Sequence, residues 1–291
     1  MKTLCKLFTI AMALLFVMAS CEKDGVYNPK KKIDRIYYSF SSSEDSWMNT
    51  GKHVKEIWKW DKNLLKSITY CDENGEPMYT ENYAYEKKRL SEITWGKNGK
   101  YTLIYDKKHL ARIEYYSGNT LEETMVFSYD GKHLSEIKIT NFDSKSVSAP
   151  MPAAIFRFFL PNFDEQCATQ LLNRINTAKK TKSNESYTIK FEWDGKNIAK
   201  TIEDWGSNKY TNSYSYDNKK NPFKGLLDFD EFTYTEVYSA NNVVKEITTY
   251  ENEIDEYTYV YTYDGKYPVT KSYTYHDDDF SYSYTYYYEY K

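Results

Sequence analysis

Phe127-Ser128-Tyr129-Asp130-Gly131-Lys132-His133-Leu134-Ser135-Glu136-Ile137-Lys138-Ile139 reads as strand, tight turn, strand. Asp-Gly between two alternating runs is the strongest short-range hairpin signal. A type I′ turn centred on Asp130 and Gly131 needs φ > 0 at both, which Gly takes freely and Asp accepts better than most residues. Phe127 and Tyr129 share a parity before the turn, and Leu134 and Ile137 are the apolar points after it. Strand side chains alternate between faces, so such a unit buries one face and wets the other.

The phrase recurs along the chain. Copies begin at Trp60-Asp61, Tyr85-Glu86, Tyr105-Asp106, Tyr129-Asp130, Trp193-Asp194-Gly195, Tyr216-Asp217 and Tyr263-Asp264-Gly265. The uninterrupted copies are 20–25 residues apart, enough for two strands of about 8 residues and two turns. A second set of turns lies between them, at Asn74-Gly75, Asn98-Gly99, Ser117-Gly118-Asn119, Gly206-Ser207-Asn208, Glu251-Asn252 and His276 to Asp279. The 32 Tyr, 14 Phe and 6 Trp mostly alternate with Ser, Thr, Lys and Glu, a period of two that means strand. Alternating turn sets predict an all-β, antiparallel up-and-down meander of about 15–17 strands from Ile33 onward. So many twisted strands curl, stack or close into a barrel-like structure. The last run, Phe280 to Tyr290, carries Tyr at every second position and would be hazardous as a bare edge, so it is expected to be paired.

Two interruptions break the series. Residues 141–186 leave and return at one end, with a helix expected over about 162–180. Asn162 caps it, Glu165 stands three residues on, and Phe163, Cys167, Leu171, Ile175 and Ala178 form one apolar stripe. The apolar run Ala153–Leu160 is expected to pack over an open end of the β-structure, with a lipid- or partner-binding segment as the alternative. Residues 218–231, with Asn221-Pro222-Phe223, are expected to cross irregularly along one sheet length and not to form a tight turn.

The start of the chain gives an address. Lys2 and Lys6 precede the apolar run Leu7–Met18, which is too short for a comfortable membrane span. Met18-Ala19-Ser20-Cys21 resembles a bacterial lipobox, which makes 1–20 a signal peptide and Cys21 the lipidated first residue. Glu22-Lys23-Asp24 resembles the acidic export tag of surface lipoproteins in Bacteroides-like bacteria. Residues 21–32, with Pro29 and Lys30-Lys31-Lys32, are expected to be a lipidated flexible tether before one β-repeat domain, 33–291. Cleavage would leave 271 of the 291 residues and move the formal net charge from −3 to −5, no electrostatic footprint for nucleic acid. One acyl chain anchors only marginally, so several are needed on Cys21. Cys71 and Cys167 suit a disulfide in an exported protein, or two buried small residues.

The aromatic-Asp-x-x-x-Leu-x-x-Ile units resemble the Tyr-Asp repeats of bacterial cell-surface proteins. With its lipobox, the chain is similar to Bacteroides-like secreted lipoproteins with a porin-like β-fold. The resemblance covers most of 33–291 and implies that fold. It brings no established activity, hence no catalytic residues. Residues 141–186 depart from the repeat.

The chemistry is sparse. No nucleophile elbow, His-Glu-x-x-His, phosphate loop or dinucleotide fingerprint is present. No cofactor, metal site or catalytic residue is therefore expected. His53, His109 and His133 occupy equivalent turn-flanking positions in different repeats, not one metal site. The acidic loop His276-Asp277-Asp278-Asp279 lacks the spacing of a Ca²⁺ loop. Trp47, Trp95 and Trp205 are the candidate ligand-binding residues, offering flat faces to a glycan or a protein. The first expectation is a lipid-anchored binding or scaffolding protein of the cell envelope and outer membrane, either periplasmic or surface-exposed. The rivals are a polysaccharide hydrolase with two carboxylates, such as Asp228 and Asp230, in a cleft, and a membrane-inserted porin-like barrel with an outward apolar band.

Overall fold

The computed structural model describes residues 24–42, 50–142, 186–206, 208–228, 232–251, 253–277 and 280–291. Among these are sixteen strands. The first eight are β1 (Ile33–Ser42), β2 (Thr50–Asp61), β3 (Leu64–Cys71), β4 (Pro77–Glu86), β5 (Arg89–Trp95), β6 (Gly99–Asp106), β7 (His109–Ser117) and β8 (Thr120–Asp130). The second eight are β9 (His133–Asn141), β10 (Ser186–Asp194), β11 (Asn197–Asp204), β12 (Lys209–Tyr216), β13 (Val243–Tyr250), β14 (Glu253–Asp264), β15 (Tyr267–Asp277) and β16 (Phe280–Tyr290). Each pairs antiparallel with its sequence neighbours, and β16 pairs with β1, so the meander closes into a barrel. The edge hazard of the tyrosine-rich last strand is removed by that closure.

The repeating hairpin differs in detail from the expectation built on Asp130-Gly131. Asp130 pairs with His133, so the two central residues are Gly131 and Lys132, and Gly131 takes φ +60°. The Asp ends its strand. In the Glu86–Arg89 turn, Lys87 and Lys88 both adopt positive φ, so a glycine is not required there.

A bulge follows every turn of this set. Tyr129 faces Leu134 while Ser128 faces Glu136, which leaves Ser135 as the extra residue. Ser91, Ala111, Ala199 and Val269 are the extra residues of other copies. One inserted residue restores parity, so Leu134 and Ile137, three apart, both point inward; both are essentially fully buried. The ring before each turn then reaches back to the preceding hairpin. Tyr105 Oη donates to the Leu90 carbonyl (2.7 Å), Trp193 Nε1 to Leu134 (2.7 Å), Tyr216 Oη to Ile198 (2.6 Å) and Tyr290 Oη to Pro268 (2.8 Å). Backbone groups at the bulged position thus find partners in the next unit, and the units interlock around one end of the barrel.

Two segments close that end from inside. Between β12 and β13 the chain runs into the lumen, making one helical turn, α1 (Tyr234–Tyr238), capped by Thr233 with Glu236 reciprocating. Phe223, Leu226, Leu227, Phe232 and Val237 are buried against the wall. Each such side chain contributes about 1.5–3 kcal/mol of burial. No tight hairpin turn joins β12 to β13, as expected. Residues 218–231 do not cross to the far end, however: β12 and β13 are antiparallel neighbours, so the segment enters and leaves at one end.

The second segment corrects the tether. From Asp24 onward the chain is not a free spacer. The Gly25 carbonyl accepts from Leu90 N–H (2.8 Å), and Asp24 Oδ2 accepts from Leu110 N–H and Tyr129 Oη (2.8 Å each). Tyr27, 4% exposed, packs tilted against Trp60 and donates to the Pro222 carbonyl (2.9 Å). The N–H groups at the bulged leucines need acceptors, and this segment supplies them. Cys71 is buried. Its prospective partner Cys167, the helix expected over 162–180 and most of the 141–186 insertion lie outside the described residues.

Candidate functional site

Strand parity sorts the barrel into an outer and an inner face. The outer face is polar and charged even at mid-strand, with Lys190 exposed at the middle of β10. Cross-strand ion pairs lie on it: Lys200–Glu192 (3.4 Å), Lys100–Glu92 (3.8 Å) and Lys245–Glu256 (2.7 Å). Large exposed apolar residues on the strands, Met78, Val126, Ile254 and Val260, are scattered singly.

The inner face has two characters. Along β2–β10 it is mostly apolar, with Trp58, Ile68, Ile93, Leu103, Met125, Phe127, Ile139 and Ile189 in one cluster with the plug and Glu56, Glu81 and Glu123 buried on the same face. Along β12–β16 and β1 it is lined with tyrosine. Tyr259 faces Tyr273, Tyr273 faces Tyr284, and Tyr38 and Phe40 face Tyr286 and Tyr284. The rings touch in series. Centroids are 5.9 Å apart for Tyr259–Tyr273, 4.7 Å and nearly parallel for Tyr273–Tyr284, 5.0 Å for Phe40–Tyr284 and 5.6 Å for Phe40–Tyr282. Tyr38, Phe40, Tyr282, Tyr284 and Tyr286 are only partly covered.

The strip runs into a cavity between the plug and this wall, with about 710 Å³ of empty space, open solvent included. Tyr214, Tyr259, Tyr261 and Tyr288 supply rings to it, and Glu203, Glu236, Glu246 and Lys271 supply charge. Lys271 Nζ is 3.2 Å from Glu236 Oε1 and 4.8 Å from the Tyr259 ring centroid. Asn212 Nδ2 donates to Glu203 Oε1 (3.0 Å), and Tyr259 Oη to Glu246 Oε2 (3.1 Å). Burial pushes the Glu203 carboxyl up to about 8; Glu246 adds repulsion, while hydrogen bonds from Trp205 and Asn212 oppose the rise. Burial likewise lifts Glu246 to about 7, against the pull of Tyr259 and Lys271. Burial works against the charge on Lys271, but Glu236, Tyr261 and Tyr286 together outweigh it and the ammonium is held above its usual range. The site therefore offers two carboxyls that keep their protons to higher pH than usual, one ion pair and six aromatic rings.

The tryptophan candidates do not converge. Trp95 stacks on Tyr115 (5.8 Å, 10°) at the end of β5 and lies over Gly99, where a Cβ would come within 2.4 Å of the indole. Trp205 follows β11, stacks on Tyr187 (4.1 Å, 11°) and reaches Glu203. Strands β6 to β10 stand between them. Trp47 lies outside the described residues, as does Cys21. Asp228 is fully buried and accepts a hydrogen bond from Tyr83 Oη, while Asp230 is outside the described residues. His109 and His133 stack on Tyr129 and Trp193 in their own repeats. The residues the sequence missed, Glu203, Glu236, Glu246 and Lys271, come from four elements. The one signal was an ionisable residue at an inward strand parity, and it covers Glu203, Glu246 and Lys271 but not Glu236 of α1.

No protein-family model and no curated protein matches the chain. Solved structures do. A porin-like protein from Bacteroides uniformis aligns with a TM-score of 0.52 at 12% identity, over 92% of this chain and all of that one. A porin-like protein from Bacteroides vulgatus aligns with a TM-score of 0.47 at 10% identity, over 90% of this chain and 99% of that one. The first of these likenesses shows the fold: a porin-like β-barrel.

Proposed function

We propose that this porin-like barrel stands outside the bilayer, held at the cell envelope by acyl chains on Cys21, and binds an extended glycan along its tyrosine strip. The observation that carries the reading is the run of partly covered rings from Phe40 and Tyr282 to Tyr259, ending in the cavity. Alternate residues on one strand face stand about 6.6–6.8 Å apart, so Tyr282, Tyr284 and Tyr286 of β16 recur along the strip at that spacing. Apolar rings edged by hydroxyls suit sugar rings.

The porin-like barrel is the fold, but insertion asks for more. A transmembrane barrel carries an outward apolar band, and Lys at the bilayer midplane costs about 2–4 kcal/mol. Lys190, Lys200 and Glu192 occupy the outer face, and the lumen is blocked by the plug. Both features support a barrel in water.

Calorimetry with linear neutral oligosaccharides and the detergent-solubilised full chain tests the reading. Tyr284→Ala should weaken binding about 10-fold, the equivalent of ~1.4 kcal/mol. Absence of binding to every neutral chain tried would overturn the glycan reading and leave a protein partner. A second reading, polysaccharide hydrolysis, is favoured by the two carboxyls Glu203 and Glu246 in one cavity. Release of reducing ends by the wild type, abolished in Glu246→Gln, would establish it.

A further inference from the structure

We propose that the cavity beside the plug is a subsite for an ammonium group, carried by an amino-substituted sugar unit of the bound chain. This rests on the glycan reading above and adds the chemical class that the inner end of the strip selects.

Charge balance is the argument. Three carboxyls line the cavity: Glu203 from β11, Glu246 from β13 and Glu236 from α1. Lys271 from β15 is the one cation among the described lining residues, and its ammonium is already engaged by Glu236 at 3.2 Å. Glu203, 6% exposed, has no cation of its own. Glu246 feels Lys271 only as a partial compensation against burial and Glu236. Asn212 and Tyr259 orient these carboxyls by hydrogen bonds but bring no charge. An ionised carboxylate held away from water is costly unless paired. A ligand ammonium beside Glu203 and Glu246 would let these protonated carboxyls ionise against a partner.

The rings point the same way. Tyr214, Tyr259, Tyr261 and Tyr288 surround the space, and aromatic faces attract cations. The wall already holds one ammonium in this manner, Lys271 over Tyr259 at 4.8 Å. A neutral sugar would stack equally well, but it would leave the carboxyls to stay protonated.

The charge state supplies a signature. Without a cation, burial holds Glu203 and Glu246 neutral up to about 8 and about 7. An ammonium stabilises their ionised forms, so binding must expel protons, and affinity must rise with pH across that range. Asp217, farther along the plug, acts on Tyr261 and Tyr263 and not on either carboxyl.

The test compares methyl 6-amino-6-deoxyglucoside with methyl glucoside on the full chain, by calorimetry at pH 6 and pH 8. The amine is expected to bind about 10-fold tighter at pH 8, one charge pairing's worth of ~1.4 kcal/mol. The margin should shrink at pH 6, and proton release should appear as a dependence of heat on buffer ionisation. Glu203→Gln and Glu246→Gln should each erase the preference for the amine. If a variant fails to fold, the pH dependence and proton release of the wild type decide alone. Equal binding of both sugars at both pH values, with neutral chains still bound, overturns the subsite and spares the glycan reading. Preference for the amine without binding of neutral chains sustains the subsite and overturns the strip. Binding of neither overturns both.

Discussion

Tyr105 shows how much one side chain settles. Its ring packs on the core and its hydroxyl donates to the Leu90 carbonyl at 2.7 Å, a group left over by the bulge at Ser91. Tyr105→Phe keeps the ring and strands that carbonyl, so stability should fall by about 1 kcal/mol in urea unfolding. Glu203 acts in the opposite sense. Its folded-state pKa, about 8, lies above the unfolded carboxylate value, so the folded chain holds a proton that the unfolded chain gives up. Stability should therefore decline as pH rises from about 5 towards 8 and level off beyond. Glu203→Gln, which cannot ionise, should flatten that decline in thermal melts at a series of pH values; an unchanged slope would remove Glu203 as its source. Neither role was legible at this scale. The three-residue step from Leu134 to Ile137 was the visible sign of a bulge, because an unbroken strand would have put them on opposite faces.

At the scale of elements, the hairpins were readable and the plug was not. Aromatic-Asp turns and alternating runs located the strands because both signals are local. The plug and residues 24–32 owe their places to partners far away in sequence, such as Tyr27 with Pro222 and Ile198 with Ser239. A Lys- and Pro-containing stretch looks like a spacer until the N–H groups at Leu90 and Leu110 turn out to need acceptors. The plug should carry real stability. Leu227, 2% exposed, meets Ile93, Leu103 and Ile113 across a small apolar space, so Leu227→Ala should cost about 2–5 kcal/mol. Val126→Ala on the outer face, where Val126 is 44% exposed, should cost under about 0.5 kcal/mol. Comparable melting-point losses for the two would refute the assignment of the plug as core.

For the whole molecule, closure decides what the faces can do. β16 pairing with β1 encloses Tyr38, Tyr284, Tyr286 and Tyr288 while Tyr37 and Tyr287 stay outside, so the inward half of an aromatic edge becomes an inner wall. The charged outer face has a consequence for the anchor. If acyl chains on Cys21 alone hold the barrel at a membrane, Cys21→Ser should leave it in the aqueous fraction without detergent. Retention in the membrane fraction would instead favour an inserted barrel.

The sequence by itself determined the class, the direction and nearly the number of strands, because turn chemistry and a period of two are written locally. It also placed the lipobox-like Cys21 and predicted that the last strand must be covered. Only the tertiary structure decided that the sheet closes, that the segment after Tyr216 returns into the lumen, and that Glu203, Glu246 and Lys271 share one cavity. The reason is physical: pairing between neighbouring strands is local information. What fills a barrel depends on groups left unsatisfied all around its wall, which meet only once it has closed.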